Sequence, residues 1–253
     1  MCDTYELYNI TEKVRFASGL RVEWGQSPSP YNDSLLVCTS TTNVKAGCVA
    51  VAMGQIMAHH RHPSSGAYLH KRYNRIVNAQ YDWQKMTEYT SAIFLKTPEG
   101  RSGVANLLAE AGYKVSMTYG CSASSAFDSN VPKAFSEMGY TSSTLVGFNL
   151  NIIKNDIDNR LPIYIKGRNN NNTEGHAWII EGYKEIIYDV IYGRDCPYGG
   201  IPIPPTVVST FTSNYLYFNL GHNGTSNGYY LAGESGTWSH PKNISIIYNI
   251  RPN

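Results

Sequence analysis

Apolar residues between positions 49 and 60 recur with a helical period. Val49, Ala52, Met53, Ile56, Met57 and His60 fall at i, i+3, i+4, i+7, i+8 and i+11, one stripe of one helix. Gly47 stands just before the stripe and Pro63 with Gly66 stops it, which sets Cys48 in or beside the first turn. A second helix is expected from an N-cap at Ser102 through Val104, Leu107, Leu108 and Ala111 to a stop at Gly112. A third follows a cap at Asp128 or Ser129, with Pro132 in its first turn and Ala134, Phe135 and Met138 turned inward. A weaker fourth spans 152–159.

Beyond Leu161 the texture changes. Short apolar, β-branched runs at 162–165, 176–180, 186–192, 215–219, 228–231 and 244–250 read as strands. The loop Gly167–Gly175, with four consecutive Asn residues, separates the first two. Residues 1–23 read as an arm or a first strand, 24–32 as a Pro- and Ser-rich loop, and 68–86 as strand or irregular covering. Cys196–Thr212, with Pro197, Pro202, Pro204 and Pro205, reads as a long non-regular insertion, part of a departure covering 184–214. Helices first and strands last predict an α+β fold with segregated halves: one domain over 1–253, helical over about 22–140 and strand-rich over about 141–253.

Composition narrows the class. At 253 residues the chain can bury a full core, and 42% hydrophobic residues with a net charge of +2 exclude disorder. Lys and Arg, 21 in all against 19 Asp and Glu, form no dense run, so no nucleic-acid footprint is expected. No apolar stretch approaches the roughly 20 residues of a membrane span. Charged residues are scarce at 16%, and Tyr supplies 20 residues against 7 Phe and 4 Trp, so uncharged polar groups do much of the solvating. The Tyr residues read as surface and sheet packing rather than a carbohydrate platform. The Asn-x-Ser/Thr triplets at Asn9, Asn32, Asn171, Asn223 and Asn243 read as by-products of that composition. Met1–Thr4 has neither a basic nor an apolar leader character.

The candidate chemistry is cysteine-based. Cys2, Cys38, Cys48, Cys121 and Cys196 are odd in number, so at least one thiol is unpaired within the chain, and none forms a C-x-x-C pair. A nucleophilic thiol needs a proton carrier, an orienting group and oxyanion donors. Cys48 has the helix N-terminus that favours a thiolate; Cys38, Cys121 and Cys196 do not. Among seven His residues, His59, His60 and His62 cluster at the far end of the same helix, about 18 Å from Cys48. Pairing with the C-terminal dipole is the reading for them, and a metal site is the lesser one, since no carboxylate or Cys accompanies them. His176 opens an apolar strand after a Gly-flanked loop, a place for a catalytic group, although a His so placed is more often structural.

Ala46-Gly47-Cys48-Val49-Ala50-Val51-Ala52-Met53-Gly54-Gln55-Ile56-Met57, with His60 and Pro63 after it, resembles the nucleophile helix of the streptopain-like cysteine peptidases of bacteria. Trp24-x-Gln26 with Pro30-Tyr31-Asn32 resembles the segment carrying that family's oxyanion-hole glutamine. Leu161–Tyr164, Gly175-His176-Ala177 and Glu181-Gly182-Tyr183 are similar to its histidine strand. The likeness runs from about Val22 to Tyr230. It implies a papain-like fold with a cleft between the halves, no cofactor and no metal. It also implies endopeptidase action on proteins, with an apolar side chain favoured just upstream of the scissile residue. Carried over by position, Cys48 is the nucleophile, His176 the general base and acid, Gln26 the oxyanion donor beside the Cys48 N–H, and Asn219 the amide that orients the histidine. Gly175, Trp178 and Leu220 are the expected substrate contacts, with core packing the other reading for Trp178.

The sequence departs from that pattern at Leu220 and His222, where the family usually has Trp. An indole there excludes water from the His–Asn contact, and Leu keeps apolar cover without the flat face. Residues 1–21 are shorter than the inhibitory pro-segment of such enzymes, so the chain reads as the mature part of a precursor, restrained by a pro-segment or inhibitor protein. The resemblance further implies export to the bacterial surface or medium. Two other readings stand beside the peptidase: a catalytically weak relative that binds peptides or a host protein, and another acyl transferase on the same scaffold.

Overall fold

The helix read from the 49–60 stripe forms over Cys48–His60 (α1) and is buried on every side from Val49 to Ala58. It is covered on one side by a helix over Pro98–Lys114 and on another by the strand-rich half. The structure is a computed structural model and describes residues 3–17, 19, 21–39, 42–70, 73–196, 199–232 and 242–253. In chain order its elements are β1 (Asp3–Phe16), α1, β2 (Ser65–His70), β3 (Arg75–Gln80), α2 (Trp83–Met86), α3 (Pro98–Lys114), α4 (Val131–Glu137), β4 (Tyr140–Thr141), β5 (Val146–Gly147), α5 (Leu150–Asp158), β6 (Ile163–Arg168), β7 (Gly175–Asp195), β8 (Ile203–Asn219), β9 (Gly228–Leu231), β10 (Lys242–Ile247) and β11 (Arg251–Pro252). The α+β segregation holds, with β1 as the one long strand before the helices.

Two helix starts move. α3 begins at Pro98 because Thr97 Oγ1 accepts the Gly100 N–H at 3.2 Å; Ser102 lies inside, its hydroxyl turned back to Glu99 O. Gly112 does not end this helix. A Cβ there would stand 2.1 Å from the Tyr119 hydroxyl oxygen, so the glycine makes room for a ring. α4 starts one short 3₁₀ turn later than expected, and the carboxylate of Asp128 accepts from the Tyr164 hydroxyl rather than capping. α5 is capped by Asn149, whose Oδ1 accepts the Asn151 and Ile152 N–H groups.

The main sheet runs β5-β10-β6-β7-β8-β9, and β1 joins β7 along its outer half. Inner β7 pairs with β6, Gly167 opposite His176 and Ile165 opposite Trp178. One sheet face packs Ile165, Trp178, Ile180, Leu216 and Phe218 against Ile153 and Ile157 of α5; the other sets Ala177 and Ile179 against the core around α1. The site therefore lies where the N-terminus of α1 meets the first residues of β7.

Most of the expected non-regular insertion is regular structure. From Ile203 onward it is β8, which pairs with β7 out to Ile203 opposite Arg194, while β1 flanks β7 from Phe16–Gly182 to Asp3–Asp195. Pro204 and Pro205 fall between the Arg194–Ile203 and Tyr192–Thr206 pairs, where the register shifts and their missing N–H is tolerated. Pro197 and Cys2 lie outside the described residues. Among those described, Cys38 is bonded to Cys121, Cys196 is also disulfide-bonded, and Cys48 holds the free thiol. The Cys38–Cys121 bridge closes 83 residues of sequence, which on chain-entropy grounds removes about 4.5 kcal/mol from the unfolded state.

His59 and His60, in the last turn of α1, are disfavoured as cations on its dipole because burial lowers the pKa of both. His59 Nε2 bonds Arg160 O at 2.8 Å and His60 Nε2 bonds Ile250 O at 2.9 Å, which makes each a donor to a carbonyl. Burial, then the neighbouring His59 and His62, push His60 from 6.5 down to about 4. The unfolded chain thus takes up a proton at this residue that the folded chain refuses. The resulting stability is full above 6.5 and is lost as pH falls toward about 4. Replacing His60 with Gln should flatten the fall in melting temperature across that window; an unchanged slope would place the acid sensitivity elsewhere.

Candidate active site

Cys48 owes its place to the residue before it. Gly47 adopts φ 90°, and a Cβ there would stand 2.7 Å from Met117 Cε, so both conformation and space demand glycine. The entering chain is held at several points. Ala46 N–H donates to Gln26 O at 3.0 Å, Lys45 N–H to Gly120 O at 3.1 Å, and the Ser124 hydroxyl to Lys45 O at 2.7 Å. The Cys38–Cys121 disulfide links the segment leading to Lys45 with the loop of Gly120 and Ser124. Cys48 is thereby the first residue of α1, where backbone N–H groups have no helical partner.

Cys48 and His176 line one cleft of about 290 Å³, with Asp128, Ser124, Lys166 and Gly175 also on its walls. Burial pushes the Cys48 thiol above its ordinary value. The Ala177 backbone N–H pulls the other way, the Asp128 carboxylate adds to the rise, and the N–H groups of Val49 and Cys48 offset part of it. On its own this thiol stays protonated; a thiolate requires a cation beside it.

His176 Nε2 lies 2.9 Å from Leu220 O. A carbonyl only accepts, so Nε2 carries the proton and the lone pair of the neutral ring is on Nδ1. The ring lies between two flat neighbours: Trp178 at 5.6 Å and 15°, and His222 at 4.8 Å and 26°. Burial lowers the His222 pKa, which keeps that neighbour uncharged. The lost indole at 222 is thus replaced by a neutral imidazole stacked on the histidine.

Asn219 is used otherwise than expected. It is fully buried, and its Nδ2 donates to Val22 O at 2.6 Å and to Glu181 Oε1 at 3.2 Å. Strand alternation turns its side chain into the core and presents the carbonyl of the next residue to His176. Leu220 is fixed from its other side by its N–H, which donates to Asn227 Oδ1 at 2.9 Å. Its side chain packs in the sheet core, as does that of Trp178, which is 2% exposed; of the three expected substrate contacts Gly175 lines the cleft.

The Gln26 loop is held from both halves. Trp24 N–H donates to Gln55 Oε1 at 3.0 Å, Asn223 N–H to Trp24 O at 3.2 Å, and Asn223 Nδ2 to Ser27 O at 3.0 Å. Gly25 permits this approach, since a Cβ would stand 2.5 Å from the Asn223 amide. Asn223 and Asn227 carry out positioning that the sequence did not announce; Asn223 showed only as a composition-driven triplet. Asn32 is likewise buried, its amide on Val44 O at 3.0 Å.

With Cys48 at the start of α1 and His176 at the start of β7 on one cleft, the model of the Peptidase C10 family matches residues 24–230. The chain belongs to that family. It is 26% identical over 248 residues to the thiol protease/hemagglutinin PrtT of Porphyromonas gingivalis, covering 90% of this chain and 26% of that protein. To streptopain of Streptococcus pyogenes it is 30% identical over 166 residues, 54% of this chain and 39% of that one. The chain thus matches between about a quarter and two-fifths of the length of these relatives. Among solved structures, interpain A of Prevotella intermedia superposes with a TM-score of 0.63 at 19% identity, covering 92% of this chain and 94% of that one. A prointerpain A fragment matches at the same TM-score, 18% identity, and 94% and 73% coverage. The fold is that of the C10 papain-like peptidases.

Beneath Asn219, burial pushes the Glu181 carboxyl from 4.5 up to about 7, against the pull of the Asn219 amide and Arg21. The folded chain keeps a proton there that the unfolded chain releases, so stability falls as pH rises from 4.5 to about 7. Substitution of Glu181 by Gln should remove that fall and raise the melting temperature at alkaline pH. A slope identical to that of the unmodified chain would show that Glu181 does not titrate in this window.

Proposed function

We propose that the chain is a cysteine endopeptidase, with Cys48 as nucleophile and His176 as the proton carrier. The single observation that carries this reading is that the free thiol at the start of α1 and the histidine at the start of β7 wall one cleft. His176 Nδ1 takes the thiol proton; the imidazolium so formed offsets the burial that opposes a lone thiolate. Sulfur attacks the scissile carbonyl carbon, and the oxyanion is met by the Cys48 N–H and the Gln26 side-chain amide. His176 then protonates the leaving amine, and water, deprotonated by the same nitrogen, releases the acyl group. Leu220 O holds Nε2–H throughout, in the place given to an orienting amide.

Protein substrates and restraint by a pro-segment accord with the solved relatives, one described as an active cysteine protease and one as a proenzyme fragment. Export accords with the disulfides, which persist in oxidising compartments. Among the described residues no helix is long and apolar enough to cross a membrane. The raised Cys48 thiol favours a second reading, a peptide-binding relative in which the ion pair does not form.

Steady-state hydrolysis of a denatured protein substrate separates the two. Turnover should vanish in Cys48→Ala, and Gln26→Ala should lower kcat about 10²-fold with little change in KM. His222→Ala should lower kcat while His222→Trp retains it. Turnover surviving in Cys48→Ala, or absent from the unmodified chain, would overturn the peptidase reading.

A further inference from the structure

One wall of the cleft that Cys48 and His176 share is built from β6. Side chains alternate along a strand and directly opposed residues share a face. Tyr164, Lys166 and Arg168 therefore lie on the face that Ala177 and Ile179 of β7 present to the core around α1. Tyr164 is fully buried there, and its hydroxyl donates to Asp128. Lys166 and Arg168, further along the same face, line the cleft itself. β10 adds a third cation, because Lys242 is paired opposite Arg168. Among the described residues none of the three takes part in an ion pair. Arg168 Nη1 donates to Asn172 O at 3.3 Å, a carbonyl that braces the guanidinium and leaves its charge uncompensated. Like charges facing each other across a ladder destabilise a sheet. Arg168 and Lys242 thus stand together at a cost that an anionic ligand would offset.

We propose that Lys166 and Arg168 form a subsite that selects substrates with an acidic side chain beside the scissile bond, Lys242 adding to the field from outside the cleft. The inference rests on the peptidase reading above and names the substrate class for it, in place of the apolar preference that the family resemblance implies. Asp128 is the one acid among the residues lining the cleft, and it does not reverse the sign. Two cations stand against it on the same walls, and its Oδ1 already accepts from Tyr164. Glu174, exposed in the loop before β7, is not among the lining residues. Space is provided as well as charge. Gly175 stands opposite Arg168, and apart from its chain neighbours a Cβ there would meet nothing nearer than 3.9 Å, so room remains beside the guanidinium. Lys166 is half-buried beside Val49, Ala126 and Ala177. Among such apolar walls a carboxylate is attracted more strongly than at an open surface, where water and salt screen it.

Quenched fluorescent peptides that differ at a single residue test the proposal, with Glu, Gln, Leu or Lys placed in turn at each position flanking the scissile bond. At one position Glu should raise kcat/KM at least about tenfold over Gln and Leu, the scale of a hydrogen bond to a charged group. The ratio should shrink as salt is added. It should fall to near one in Lys166→Ala and invert in favour of the Lys peptide in Lys166→Glu, with circular dichroism checking that both variants fold. Binding of the same peptides to the Cys48→Ala chain, followed by fluorescence anisotropy, tests the subsite apart from turnover. There the Glu peptide should bind about tenfold more tightly than the Gln peptide, and Lys166→Glu should abolish the difference. Absence of turnover with this binding difference retained would overturn the peptidase reading and leave the carboxylate site standing. Equal cleavage of the Glu, Gln and Leu peptides at every position would overturn the subsite and leave the peptidase. So would a Glu preference that survives Lys166→Glu, or equal affinities for the Cys48→Ala chain.

Discussion

The site depends on one junction, the contact between the first turn of α1 and the start of β7. Gly47 permits it by taking a backbone conformation closed to other residues and leaving room for Met117. Cys48 then enters a helix already buried all round, and shares its cleft with His176 and Ala177. Because α1 belongs to one half of the fold and β7 to the other, Cys48 and His176 share a cleft only while the two halves stay packed. Much of the surrounding bonding serves that end. Gln55 holds Trp24 from the helix, Asn223 holds the same loop from the strand side, and the Ala46–Gln26 bond ties that loop to the chain entering α1.

The electrostatics of the junction have a cost and an offset. Burial and Asp128 raise the thiol, so backbone donors alone do not yield a thiolate. His176 lies between Trp178 and His222 with Nε2 fixed on Leu220 O, which restricts ring rotation and assigns the basic lone pair to Nδ1. Below it, Asn219 and Glu181 form a buried polar pair that anchors the strand supplying that carbonyl. The carboxylate there is retained at a cost in stability above pH 7, a pattern met where position matters more than stability.

The parts of this arrangement with a strong local signal were legible in the sequence. The stripe from Val49 to Met57 announced α1, and Gly47 and Cys48 announced its N-terminal chemistry. His176 at a strand start was legible as a candidate, and the family resemblance joined it to Cys48 and Gln26. Other features depend on side-chain direction. Asn219 has the right residue type beside the right carbonyl, yet strand parity turns its amide inward and leaves the contact to the backbone of Leu220. Trp178 and Leu220 are close to the chemistry and buried for the same reason. Helix starts were misplaced where a polar residue resembled a cap but the true cap, Thr97, stood before a proline and no apolar residue. A first strand was one of two readings of residues 1–23, and β1 realises it, whereas the start of β8 was misread as non-regular because its prolines and hydroxyl-rich run conceal a strand.

The central claim is that His176 alone converts a thiol disfavoured by burial into a reactive thiolate. Alkylation of native protein by iodoacetamide as a function of pH, with the modified residue located by mass spectrometry, measures this directly when wild type and His176→Ala are compared. The account predicts rapid labelling of Cys48 in the wild type well below the ordinary thiol value of about 8.5. In His176→Ala the onset should move above that value, because burial then acts unopposed. Coincident profiles for the two proteins, or a wild-type profile at or above the ordinary value, would contradict it.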